Sequence, residues 1–214
     1  MKAQIERLFL DRMNKIYRMH LVNPVESCKP CLILLCLFFF SASLAAAQQQ
    51  ATPSAAAKYF SDVELINQDG QKLRFYSDVL KDRVVIISAF FSTCTSVCPP
   101  MNRNLEKIQD ALGDRLGKDV FLVSISVDPE TDTPTRLKEY SRRFHARPGW
   151  LFLTGKKENV DWALYKLGQY VETKNDHTTV LIIGNEPKGL WKKAFGLAKS
   201  DELIRIVDDV INDR

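Results

Sequence analysis

Residues 84–100 constrain the fold of this chain more than any other part of its sequence. The first eight of them form a nearly unbroken apolar run, β-branched at first and then aromatic, which is typical of a strand buried on both faces of a sheet. Pro99 and Pro100 follow, and proline is tolerated in the first turn of a helix because the N–H group it lacks would be unpaired there. The sequence therefore predicts a buried strand, a short turn and then a helix that ends at Gly113.

Two cysteines, Cys94 and Cys98, lie where the predicted strand meets the predicted helix. The macrodipole and the unpaired N–H groups of a helix N-terminus favour a thiolate, the reactive and metal-binding form of cysteine. Cysteines four residues apart in a helical first turn would place both sulfur atoms on one face, within reach of a disulfide or a shared metal ion. The pattern predicts an active centre, and the alternative is a pair of structural thiols or a stabilising disulfide.

The remaining apolar runs and turn signals predict a mixed α/β fold. The predicted strands cover residues 63–66, 73–75, 84–91, 120–127, 150–154, 178–183 and 190–195, and the predicted helices cover residues 76–80, 99–112, 134–144, 159–167 and 200–211. Thr133 and Pro134 provide a helix start, Ser200 is the expected cap of the last helix, and Asp128 and Asp132 indicate turn chemistry. An N-terminal β-hairpin, a cysteine turn after a central strand and a C-terminal β-β-α unit together describe a thioredoxin-like fold, with a central mixed sheet flanked by helices.

The first 47 residues have the features of an export signal. A segment with six basic and three acidic side chains contains an apolar run at residues 31–40, and Ala45 and Ala47 fit the small-residue pattern before a cleavage site. An uncleaved N-terminal anchor, which would tether the chain to a membrane, is the alternative, although residues 31–47 are at the short end for spanning a bilayer. We therefore expect an exported protein, in the bacterial periplasm or on the extracytoplasmic face of the membrane.

A flexible tether and a folded domain are expected after this leader. Residues 48–57 are low in complexity, and the domain is predicted to span residues 58–214. Cys28 and Cys31 have the C-x-x-C spacing of a redox pair, but no strand precedes them and the apolar part of the signal follows at once. We assign no function to them, so the exported chain carries two cysteines, Cys94 and Cys98.

Four motifs occur in order along the predicted domain: TCTSVCP at residues 93–99, SVDPETDTP at 126–134, LTG at 153–155 and DHT at 176–178. Together they resemble the Sco/SenC family, and the resemblance extends from about Tyr59 to the C-terminus. Members of this family are thioredoxin-like copper proteins that help to metallate the dinuclear copper site of cytochrome c oxidase. The resemblance implies a copper site built from Cys94, Cys98 and His177. It also implies a partner, either the copper-binding subunit of the oxidase or another periplasmic copper or thiol protein.

The chain departs from the family pattern inside the cysteine motif. Many members carry Pro-Asp where this chain has Thr95-Ser96, and a carboxylate beside the sulfur atoms would modulate the binding of a metal or a partner.

The implied ligand set is suited to copper on chemical grounds. Two thiolates and one imidazole suit Cu(I), can hold Cu(II) and are acceptable to zinc. A structural zinc site normally has a fourth ligand, whereas three ligands leave an open position that fits a metal carrier. Asp176 is a candidate to orient the ring of His177. Met101 is interpreted as a core or partner-facing residue, and His145 as a cation at a helix end.

Two functions remain open at this point. The first is a copper metallochaperone for oxidase assembly, which holds copper through Cys94, Cys98 and His177. The second is an extracytoplasmic thiol–disulfide oxidoreductase that acts on partner cysteines through a Cys94–Cys98 disulfide, so enzymatic activity is an open question. His177 favours the carrier, because dithiol exchange needs no third ligand. The net charge of +4 comes largely from the N-terminal segment, and the absence of a basic stripe with interleaved aromatics argues against nucleic acid as a partner.

Overall fold

The computed structural model describes residues 54–213, which form a seven-stranded sheet with helices on both faces. The predicted leader, with Cys28 and Cys31, lies outside the described residues. The helices are α1 (Ala55–Phe60), α2 (Cys98–Leu112), α3 (Pro134–Arg142), α4 (Lys157–Lys166) and α5 (Ser200–Asn212). The strands are β1 (Glu64–Asn67), β2 (Lys72–Arg74), β3 (Val84–Phe90), β4 (Val120–Ser126), β5 (Trp150–Thr154), β6 (Val180–Asn185) and β7 (Leu190–Phe195). In this part of the chain no helix combines the length and the apolar character that crossing a bilayer requires.

The strand order is β2-β1-β5-β4-β3-β6-β7, and the sheet is mixed. Strands β3, β4 and β5 run parallel to one another, whereas the β1–β2, β1–β5, β3–β6 and β6–β7 pairs are antiparallel. The β1–β2 and β6–β7 pairs are the two hairpins that the sequence predicts. The expected thioredoxin-like fold class is confirmed.

Strand β3 is buried along its whole length because the sheet carries a hydrophobic core on each face. Ile86 and Phe90 belong to the core that is completed by α2, α3 and α5. Val85 and Ile87 point to the opposite core, which is completed by α1, α4 and a π-helical segment at Phe75–Leu80. This arrangement explains the continuous apolar run, since successive side chains of the strand point to opposite faces of the sheet and both faces are covered.

Helix boundaries agree with the sequence where a cap or a glycine sets them and differ elsewhere. Thr133 accepts a hydrogen bond from the Arg136 N–H, and α2 ends before Gly113, whose φ is 53°. The prediction that Ser200 caps α5 was wrong. Lys199 holds the cap position without a side-chain hydrogen bond, and acidic residues in the first turn complement the helix dipole instead. Helix α1 begins at Ala55, so the last part of the predicted tether is helical.

The sheet topology brings two distant parts of the chain to one edge. Because β3 and β6 are antiparallel neighbours, the end of β3 lies beside the start of β6. The turn that follows β3 carries Cys94, and the loop that leads into β6 carries His177. The fold therefore positions the predicted ligands together although Cys98 and His177 are 79 positions apart in the chain.

Candidate metal centre

The two cysteines lie on a turn between β3 and α2 rather than within one helical turn. Strand β3 ends at Phe90 and α2 begins at Cys98, so Cys94 lies outside the helix. The Cys94 N–H donates to the Phe91 carbonyl at 3.1 Å, which closes the first part of the turn. The prediction that both sulfur atoms share a helix face was therefore wrong, because residues 91–97 are not helical.

A buried carboxylate, Asp132, fixes the start of this turn. It accepts hydrogen bonds from the Ser92 N–H at 3.1 Å and from the Ser92 hydroxyl. Ser126, the last residue of β4, donates its hydroxyl to the same carboxylate at 2.6 Å. Asp132 thereby ties the Cys94 turn to the end of the neighbouring strand. Sequence reasoning missed this role, since the local pattern around Asp132 is that of a turn before a helix.

His177 reaches the cysteines from the loop before β6. Its Nδ1 lies 2.9 Å from the Lys174 carbonyl oxygen, and because a carbonyl can only accept, Nδ1 carries the proton. In the neutral ring Nε2 then has a free lone pair, and this atom lies 3.2 Å from Cys98 Sγ. The ring packs edge-on against Phe91, with 5.0 Å between the two ring centroids. The nitrogen available to a metal is thus the one that faces the sulfur atoms.

The Lys174 carbonyl, rather than Asp176, orients the imidazole. Asp176 is exposed in the 3₁₀ turn Lys174–Asp176 that precedes His177. The side chain of Lys174 forms an ion pair with Asp128 at 2.7 Å, where the carboxylate side chain is only 13% exposed. This ion pair links the His177 loop to the segment after β4. Lys174 therefore stabilises the site twice, through its carbonyl contact with His177 and through its side-chain ion pair with Asp128.

The three predicted ligands form one cluster. Among the described residues, the ligand atoms of Cys94, Cys98 and His177 all lie within 4.8 Å of one another, and both cysteines are free thiols. Burial lowers the pKa of His177, although its hydrogen bond to Lys174 acts in the opposite direction, so the surroundings favour the neutral, metal-binding form of the ring. Two sulfur atoms and one neutral imidazole nitrogen are a donor set that suits a soft or borderline metal ion.

The two thiols have different acidities. Burial acts to raise the pKa of Cys94, but hydrogen bonds from Cys98 and Ser96 outweigh it, and the pKa is lowered. Burial raises the pKa of Cys98, and the neighbouring Cys94 adds to this effect. Cys94 is 7% exposed and Cys98 is fully buried. The expected thiolate-favouring environment therefore applies to Cys94 alone, which is also the sulfur that a partner would meet first.

The other two candidate residues take no part in the cluster. Met101 is fully buried in the core beneath α2, as expected from its spacing. His145 is exposed, and its Nδ1 contacts the Glu106 carboxylate.

Sequence comparison relates the chain to one family. The SCO1/SenC family model matches residues 51–211. An SCO2-like protein from Rickettsia conorii is 36% identical over 103 residues, which cover 48% of this chain and 48% of that protein. The matched stretch thus spans about half the length of this curated relative.

Solved structures agree with the sequence comparison. Arabidopsis thaliana ScoI with copper bound is 26% identical, with a TM-score of 0.60 over 73% of this chain and 99% of that chain. BsSco, described as a member of the Sco family of cytochrome c oxidase assembly proteins with a disulfide switch, is 27% identical. Its TM-score is 0.59 over 72% of this chain and 94% of that chain.

Proposed function

Because the chain belongs to the SCO1/SenC family, we propose that it is a copper-binding metallochaperone that assists assembly of the copper site of cytochrome c oxidase. The observation that carries this proposal is the cluster of Cys94, Cys98 and His177, whose ligand atoms lie within 4.8 Å of one another. Two related structures support it, one solved with copper bound and one described as an oxidase assembly protein.

Copper is the cargo in this proposal, and each ligand has a distinct part in holding it. Both thiols must lose a proton when the metal binds, and this is easier for Cys94, whose pKa is lowered, than for Cys98, whose pKa is raised. His177 offers the Nε2 lone pair, and the Lys174 carbonyl keeps the ring in that tautomer. Three protein ligands leave room for a ligand from the partner, so copper can pass by stepwise exchange of thiols.

The partner and the location follow from the same proposal. The partner is the copper-binding subunit of the oxidase or another periplasmic copper or thiol protein. Since the leader has the features of an export signal, the protein acts in the periplasm or on the extracytoplasmic face of the membrane. Cleavage of the leader or its retention as an anchor is compatible with this role.

A thiol–disulfide oxidoreductase is the second candidate function. The lowered pKa of Cys94 beside the raised pKa of Cys98 suits an attacking thiolate and a buried resolving thiol. The description of BsSco as containing a disulfide switch also supports this candidate. The two functions are compatible, because copper loading requires both thiols to be reduced.

Copper titration of the reduced and oxidised chain tests the proposal. Thiols are soft ligands that Cu(I) prefers, so Cys28, Cys31 and Cys36 are removed from the test. We define the leader-serine chain as the full chain with these three cysteines changed to serine. The reduced leader-serine chain should bind one equivalent of Cu(I), and its oxidised form should bind none with comparable affinity, because a disulfide removes both thiolates.

A matched control is the leader-serine chain with the further changes Cys94→Ser and Cys98→Ser. This variant measures copper bound elsewhere in the chain and should retain no tight site. Equal copper binding by the reduced and oxidised forms would contradict the carrier function and favour the oxidoreductase.

A further inference from the structure

Cys94 lies at the junction of two grooves. The first groove has a volume of about 630 Å³ and includes Phe91, Cys94 and His177 in its lining. The second has a volume of about 740 Å³ and is lined by the Cys94 turn together with the start of α2 and by α3. Cys94 is the one residue that lines both, so a partner can occupy the second groove and still reach the sulfur atom of the metal cluster.

The second groove is positively charged. Three arginines line it, Arg103, Arg136 and Arg143, against one carboxylate, Glu139. Five threonines supply hydroxyl groups around these charges, at positions 93, 95, 131, 133 and 135. We call this surface the arginine groove. Hydroxyl and guanidinium donors together match a ligand that presents several acceptor oxygens.

Two of the three guanidinium groups are available to a ligand. Arg103 forms an ion pair with Glu106 at 3.0 Å within α2. Arg136 and Arg143, by contrast, are exposed and have no acidic partner within 4.0 Å among residues 54–213. Arg143 rests over the Tyr140 ring at 5.9 Å, which limits its orientation. Guanidinium groups bind carboxylates through paired hydrogen bonds. Arg136 and Arg143 have no acidic partner in the described part of the chain and line the same groove as Cys94, so they favour a reacting partner that carries carboxylates.

We propose that the arginine groove recognises carboxylate side chains that flank the reacting cysteine in a segment of the partner protein. The proposal rests on the proposed function in one respect, namely that partner thiols react with Cys94. It adds that the charge of the residues beside a partner cysteine determines how fast that cysteine reacts. It assigns Arg136 and Arg143 as the specificity-determining residues. Exposed charges act mainly on the rate of association, and salt screens them. The preference for partners that carry carboxylates should therefore weaken as salt is added.

The test follows thiol exchange with three short peptides that differ in charge. Each peptide has one cysteine flanked by aspartates, serines or lysines, and this cysteine is activated as a mixed disulfide with 5-thio-2-nitrobenzoate. The Cys94 thiolate attacks the peptide sulfur and releases thionitrobenzoate, whose absorbance reports the rate. Cys98 then loses a proton and attacks Cys94, which forms the Cys94–Cys98 disulfide and releases the peptide thiolate.

The reduced leader-serine chain should react with the acidic peptide about 10-fold faster than with the basic peptide at low salt, and the ratio should fall as salt is added. The changes Arg136→Gln and Arg143→Gln together should reduce the ratio to within about twofold, because both free guanidinium groups are lost. The matched control is Arg205→Gln, which changes an exposed arginine on α5, and it should leave the ratio unaltered.

Three results would overturn the proposal. The first is equal rates for acidic and basic peptides, and the second is a preference that survives the double substitution. The third is glutathione, activated as the same mixed disulfide with 5-thio-2-nitrobenzoate, reacting faster than the acidic peptide with the same dependence on the two arginines, since the groove would then bind a small thiol compound. No copper is present in this assay, so its outcome is separate from the copper titration that tests the proposed function.

Discussion

Changing His177 to alanine in the reduced leader-serine chain should weaken Cu(I) binding by at least about 100-fold. The change removes one of three ligands, and loss of a group that merely orients a ligand already costs about 10- to 100-fold in metal affinity. Formation of the Cys94–Cys98 disulfide should persist, because that reaction involves only the two sulfur atoms. Competition with a Cu(I) chelator measures the affinity, and mass spectrometry after mild oxidation measures the disulfide.

The matched control for this experiment is His145→Ala. His145 is exposed and contacts Glu106 rather than the cysteines, so its loss should leave copper affinity unchanged. If His177→Ala bound copper as tightly as His145→Ala, the His177 imidazole would not be a copper ligand. The oxidoreductase function would then be the better account of the cysteine pair.

Changing Asp132 to alanine should lower the free energy of unfolding by about 3–5 kcal/mol. A buried donor left without an acceptor costs about 1–3 kcal/mol, and the half-buried donors of Ser92 fall at the lower end of that range. The Ser92 N–H, the Ser92 hydroxyl and the Ser126 hydroxyl would all lose their acceptor. Since domains of this size are stable by about 5–15 kcal/mol, urea unfolding followed by circular dichroism should show a large shift of the midpoint.

The control for Asp132 is Asp69→Ala, which removes an exposed carboxylate that pairs with Lys138. Exposed ion pairs contribute about 0–1 kcal/mol, so this variant should unfold close to the parent chain. Asp132→Asn keeps the size of the side chain and should fall between the two. If Asp132→Ala unfolded at the same urea concentration as Asp69→Ala, the carboxylate would not anchor the cysteine turn.

The fold was predictable because its strongest signals are local. The apolar run of β3 requires cover on both faces, and the two cores on either side of the sheet provide it. His177 was predicted as a ligand from the family resemblance, and the topology explains why it lies beside the cysteines, since the loop into β6 lies at the same sheet edge as the turn after β3. The family resemblance is confirmed by the match to residues 51–211.

Asp132 shows why part of the site was missed. In the sequence it stands between Asp128 and Thr133 in a stretch that is typical of a turn before a helix. Its contacts with Ser92 arise because β3 and β4 are parallel neighbours whose ends meet at one edge of the sheet. The contact between Ser92 and Asp132, which are 40 positions apart, follows from strand pairing and cannot be predicted from the residues around Asp132.

The different pKa values of the two thiols could not be predicted from the sequence either. A helix-dipole argument from the sequence treats Cys94 and Cys98 alike, because both precede the helix predicted at residues 99–112. The structure separates them, since Cys94 receives hydrogen bonds from the residues that follow it and Cys98 is enclosed by the core. Burial of one side chain relative to another depends on how the turn is folded, which the spacing of the cysteines does not specify.

X-ray absorption spectroscopy at the copper edge tests the central claim most directly, because it identifies the atoms bound to the metal. The reduced leader-serine chain loaded with one equivalent of Cu(I) should show two sulfur ligands and one imidazole nitrogen, and the imidazole signal should disappear in His177→Ala. A copper ion bound by sulfur alone, with the same spectrum in both proteins, would contradict the account.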